Sequence, residues 1–195
     1  MSSTVDKIVE NFPFPTILPI VGEPNYETIA QVHFKLNENS ASIQSNLGDG
    51  QLGILFLTVS PAVYSTLYAT DFVPLVNPGA TAIITTGATT AVIANGRQSF
   101  TDATALFKKY KSANKALKQM ILGAVDEMFV RSLQTKYVGY LNASKRDILK
   151  HIYSDYARIL AADLNNNDVY LKTAYTPNQP IEILFDQVEN TVDYA

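Results

Sequence analysis

Leu106-Phe107-Lys108-Lys109-Tyr110-Lys111-Ser112-Ala113-Asn114-Lys115-Ala116-Leu117-Lys118-Gln119-Met120-Ile121 carries the helical period of this chain. Leu106, Tyr110, Ala113, Leu117, Ile121, Ala124 and Met128 recur at spacings of three and four, so they share one apolar face of a helix that begins near residue 98. Lys108, Lys109, Lys111, Lys115 and Lys118 take other positions around the same helix. Downstream, Ser144 with Asp147 three residues later is a capping-box pattern, and Ile148, Leu149, Ile152, Tyr153, Tyr156 and Ile159 line one face after it. Asn165-Asn166-Asn167 and Thr176-Pro177-Asn178-Gln179 punctuate the next segment. Pro180 then opens a last helix on which Ile181, Leu184, Phe185, Val188 and Val192 share a face.

Upstream, Asn25 can cap a helix whose Ile29, Val32, Leu36 and Ile43 fall on one side, until Gly48, Gly50 and Gly53 break it. Residues 52–59 are almost continuously apolar and fit either a buried strand or a buried turn of helix. Ser60-Pro61 is an N-cap with proline at the first helical position, and a short helix follows through Val63, Tyr64, Leu67 and Tyr68. Residues 1–24, with Pro13, Pro15, Pro19 and Pro24, read as an arm that holds no long helix. Residues 71–88, rich in Pro, Gly and Thr, read as a long flexible connector. With no repeated βα pattern, the expected fold is mainly α: an orthogonal bundle of about five amphipathic helices over residues 25–195, preceded by the arm 1–24.

Composition narrows function by exclusion. The chain has 195 residues, 47 % of them hydrophobic and 17 % charged, which is too apolar for general disorder. It has no Cys, so disulfides, thiolate nucleophiles, zinc fingers and iron–sulfur clusters are out of reach. Its two histidines, His33 and His151, lie far apart in sequence, and no metal or other cofactor is expected. The proline-cut N-terminal stretch is not a signal-peptide core, and the longest uninterrupted apolar run, Ile54–Leu57, falls far short of the ~18 residues of a spanning helix. No membrane partner is expected, the Asn142-Ala143-Ser144 sequon carries no meaning without export, and the expected location is the cytoplasm.

Charge is unevenly spread. Between Arg97 and Arg158 there are 12 basic and 5 acidic side chains, and the remainder holds 3 basic and 13 acidic, a net of +7 against −10. The lysines at 108–118 can neutralise phosphates of a nucleic acid, or they can be the solvated face of an amphipathic helix. Gly48-Asp49-Gly50-Gln51-Leu52-Gly53 lacks the preceding strand and following Lys-Ser/Thr of a phosphate cradle and reads as a loop. His33 lies one position from its apolar stripe and reads as a structural histidine, and His151 has Asp147 four residues earlier as a helical partner. No Ser on a glycine elbow accompanies either His, and the adjacent Asp126-Glu127 point different ways on a helix. No catalytic residue and no small-molecule substrate are expected.

Three stretches together resemble the Gag polyprotein of Copia-type LTR retrotransposons. The first is Pro24-Asn25-Tyr26-Glu27-Thr28-Ile29 running on to Leu36, similar to the Asn-Tyr pair and helix that open the folded region of that family. The second lies between Leu117 and Ile159, where Leu149, Ile152 and Tyr156 occupy the Trp-x-x-Leu-x-x-x-Tyr positions of the central helix. The third is Pro180-Ile181-Glu182-Ile183-Leu184-Phe185-Asp186-Gln187-Val188, similar to the helix that follows. Both family Trp positions are aliphatic here, Ile29 and Leu149, and no residue matches the Cys/His knuckle found later in a full Gag. The resemblance implies the capsid-like N-terminal part of such a protein: non-enzymatic, forming homo-oligomers, and contacting RNA nonspecifically. On that view Lys108, Lys109, Lys111, Lys115 and Lys118 face RNA, and Ile181, Leu184, Phe185, Val188 and Val192 pack into the core or onto a neighbouring copy. The competing expectation is a domesticated, monomeric helical adaptor or peptide-binding module.

Overall fold

A computed structural model describes residues 4–45, 51–68, 75–158 and 161–192, with side chains except at 161–163, 186 and 189–192. The described residues are mainly helical and contain no β-strand. In chain order the helices are α1 (Thr4–Val9), α2 (Tyr26–Ala41), α3 (Pro61–Leu67), α4 (Thr90–Ala124), α5 (Glu127–Val130), α6 (Lys145–Tyr156), α7 (Ala161–Leu171) and α8 (Glu182–Val192). The eight helices among the described residues exceed the five expected by α1, α5 and α7, short or weakly amphipathic helices that hydrophobic period does not reveal. Asp126, for example, accepts from the Met128 N–H and opens the four-residue α5.

Helix starts follow side-chain chemistry. Asn25 and Thr28 form a reciprocal capping box at α2, and Ser144 and Asp147 do the same at α6. Ser60 caps α3, with Pro61 in its first turn. The long α4 starts at Thr90, eight residues earlier than its apolar period suggests. Thr89 accepts from the Val92 N–H, and the first turns run on from it with no buried residue. Its buried residues (Ala113, Ala116, Leu117, Ile121 and Ala124) all lie in the C-terminal half. Val125 leaves the helix in an extended conformation, so Met128 falls on α5 and is exposed, not on the α4 stripe.

The core gathers around that half of α4. Ile29, Val32 and Leu36 of α2 and Ile148, Leu149 and Ile152 of α6 are buried in the same cluster. Each such side chain contributes on the order of 2 kcal/mol by leaving water. Ile29 and Leu149, where the resembled family carries Trp, are thus both core positions. The apolar run at 52–59 is a buried 3-10 turn (Leu55–Leu57), not a strand. Its cramped entry places Gly53 at a φ of +51° against the carbonyls that end α2.

The arm is part of this packing. α1 lies against α4, Phe12 and Ile17 are buried, and the Ile20 N–H donates to the Ala124 carbonyl at 2.8 Å. Of the 71–88 connector, residues 71–74 lie outside the described residues; 75–88 form no helix or strand, with Ile83 fully in solvent. Ile159, Gly48 and Gly50 also lie outside them. None of the described helices is long and apolar enough to cross a membrane.

Candidate anion-binding cleft and exposed helix face

Four of the five α4 lysines form one stripe. Lys108, Lys111, Lys115 and Lys118 succeed one another at intervals of three, four and three, whereas Lys109 sits to one side. Lys109 donates to the Gln44 carbonyl at 2.6 Å. Lys118 is half-buried and donates to the carbonyls of Tyr140 and Leu141. Its pKa is lowered by burial, against a smaller upward pull from Asp147. Lys108, Lys111 and Lys115 are exposed, with the Lys111 ammonium 5.9 Å from the centre of the Phe107 ring.

A further lysine, which the sequence reading did not single out, joins them. Lys145 is the first residue of α6 and is 3 % exposed. Its ammonium donates to the Asn114 side-chain oxygen on α4. Burial, then the neighbouring charges of Lys118 and Arg146, bring its pKa down to about 8. The signal for its burial was present in the spacing: positions 145, 148, 149 and 152 share a helix face, so the cap that starts α6 turns Lys145 inward with the apolar stripe.

Between α1, α4 and the start of α6 these groups enclose a cleft of about 690 Å³. Lys111, Lys115, Lys118 and Lys145 line it with Asn114 and Asn142, and no carboxylate does so among the described residues. The field of such a site repels cations and attracts anions.

The two histidines do other work. His33 Nε2 lies 3.3 Å from the Thr58 carbonyl, which only accepts, so Nε2 carries the hydrogen and Nδ1 accepts from the Tyr153 hydroxyl at 3.3 Å. Burial holds its pKa below the ordinary value. His151 pairs with Asp155, one turn later, at 3.2 Å, in place of the expected Asp147, whose carboxylate accepts from the Ser144 N–H. Its Nε2 meets both the Ser132 hydroxyl and the Phe129 carbonyl at 3.0 Å. Ser132, His151 and Asp155 thus stand in the order of a hydrolase triad. Phe129 breaks the resemblance: a nitrogen that donates to a carbonyl has no lone pair with which to take the Ser132 proton. Among the described residues no cluster of His, Asp or Glu could hold a metal ion.

The last helix pair presents an apolar surface. The Gln187 side chain is buried and donates to the Leu171 and Thr173 carbonyls at 3.2 and 3.1 Å, tying α8 to the end of α7. Ile181, Phe185 and Val188 are exposed and Leu184 is half-buried; the Val192 side chain lies outside the described residues. Phe185 alone is 62 % exposed.

No family model, no curated protein and no solved structure matches this chain.

Proposed function

We propose that this chain is a capsid-like structural protein of the retrotransposon Gag type, which associates with copies of itself through α7 and α8 and holds RNA by its phosphates along α4. The observation that carries the reading is the apolar face of α8. Together with α7 it leaves eight large apolar side chains in water between Leu164 and Val188. Patches of that kind on a folded chain mark sites of association. A second copy is the occupant that the charges favour. Residues 161–192 carry five acidic side chains and one lysine, whereas the block from Arg97 to Arg158 has a net charge of +7. The acidic helix pair of one copy therefore complements the basic block of another, a head-to-tail contact of the kind that builds rings and lattices. Exposed Lys108, Lys111 and Lys115 are the residues of the stripe left to meet RNA. The order of the Gag-like motifs, with Ile29 and Leu149 in the core, supports the family assignment.

Light scattering behind size-exclusion chromatography tests this at several protein concentrations and two salt levels. The expected result is a mass that climbs with concentration above the 21.4 kDa of one chain and returns to it in Phe185→Asp. A monomer under every condition would overturn the reading in favour of the adaptor.

A further inference from the structure

We infer that the cleft between α1, α4 and the start of α6 is a binding pocket for a small molecule carrying clustered phosphate groups, with Lys145 as its buried cation. The inference does not rest on self-association: it is argued from the lining of the cleft and uses none of the residues of α7 or α8.

Lys145 is the first ground. An ammonium has three N–H donors, and this one finds a single acceptor among the described residues, the neutral Asn114 amide. Buried charges in folded proteins are ordinarily paired, because an unpaired one loses its hydration without return. Here the neighbouring charges add to that cost: Lys118 and Arg146 both act on Lys145 with the same sign. Asp147, the carboxylate of the same helix turn, is held by the Ser144 N–H at 2.8 Å. An anion placed in the cleft would accept from the free Lys145 donors and offset both repulsions at once.

The cleft itself is the second ground. Its volume of about 690 Å³ lies within the range of ~300–1,000 Å³ typical of small-molecule sites. Four ammonium groups in its wall call for a ligand of several negative charges, which clustered phosphates supply and a single carboxylate does not. Lys145 is 3 % exposed and lines the cleft, so a ligand must enter the cleft to meet it. A polymer lying along exposed Lys108 stays outside.

The test is calorimetric titration of the full chain with inorganic pyrophosphate at fixed ionic strength, beside Lys145→Met, Lys115→Met and Lys108→Met. The expected result is one saturable site, weakened about tenfold or more by the first two substitutions, the size of one charge-assisted hydrogen bond. Lys108→Met, which does not line the cleft, leaves it unchanged. If Lys145→Met fails to fold by circular dichroism, Lys115→Met, on the exposed rim, carries the comparison alone. Three results would overturn the inference: no saturable binding, an equal loss in Lys108→Met and Lys115→Met, or displacement of pyrophosphate by a short single-stranded RNA at lower phosphate concentration. The last would make the cleft part of an RNA track.

Discussion

Asn39 and Phe14 exchange two hydrogen bonds of 2.8 Å each: the Asn39 side-chain oxygen accepts from the Phe14 N–H, and its amide donates to the Phe14 carbonyl. One side chain thereby pairs with a backbone as a neighbouring strand would. The need arises from the sequence, since Pro13 and Pro15 leave Phe14 as the sole N–H donor of its tripeptide. Asn39 is fully buried, so its amide has no water in reserve, and Phe14 is half-buried.

Asn39→Ala should therefore cost about 3 kcal/mol, because it leaves two backbone groups without partners at ~1–3 kcal/mol each. Asn39→Asp should cost at least as much, since a carboxylate keeps the acceptor but faces the Phe14 carbonyl. Urea unfolding checks both; an unchanged midpoint in Asn39→Ala would show that the arm is not held by this clasp.

Gly53 makes a second, sharper prediction. A Cβ there would fall on the Ala41 carbonyl and lie 2.7 Å from that of Ile43, at a φ of +51° that disfavours any side chain. The obstacle is backbone at the end of α2, which cannot rotate aside. Gly53→Ala should lower the thermal midpoint by more than ~4 °C, the shift of about 1 kcal/mol in a domain of this size, whereas Gly79→Ala, which at a φ of +91° carries the backbone strain but has open space around it, should lower it less, the difference being the clash. Equal shifts in the two variants would refute the steric argument.

How far the fold was legible follows from where its information lies. The caps at Asn25, Ser60 and Ser144 are readable because each is satisfied within four residues. The stripes of α2, α4 and α6 are readable because burial repeats with the helix. The clasp of Asn39 on Phe14 is not, since its two partners lie 25 residues apart and neither has a periodic signal. His151 shows the same limit. Asp147 and Asp155 stand four residues to either side, and spacing alone cannot choose between them. The cap at Ser144 engages the first and leaves the second. For the candidate site, periodicity placed position 145 on the buried face, but a lysine there contradicts the rule that apolar residues fill such faces, so chemistry hid what spacing revealed. The apolar face of α8 was equally visible as a pattern, yet a pattern says that a face is apolar and not what covers it.

His33 supplies a pH dependence whose sign is set by its burial. Its pKa in the fold lies below the ordinary value of 6.5, so between those two values the unfolded chain binds a proton that the folded chain refuses. Stability is therefore full above about pH 6.5 and falls as the pH drops below it toward the folded value. Around the ring, Tyr153 is pushed up to about 12 and stays neutral throughout, whereas Arg146, Asp147 and Lys150 line the same groove. Asp147 has its pKa lowered by the Ser144 hydrogen bonds, so it stays charged until well below this window. Urea midpoints measured from pH 7.5 down to pH 5.5 should decline in the native chain. His33→Gln, which retains a donor for the Thr58 carbonyl, should remove most of the slope while costing some stability at pH 7.5. A slope undiminished in His33→Gln would assign the dependence to another group and leave His33 a pH-indifferent bridge between α2 and α6.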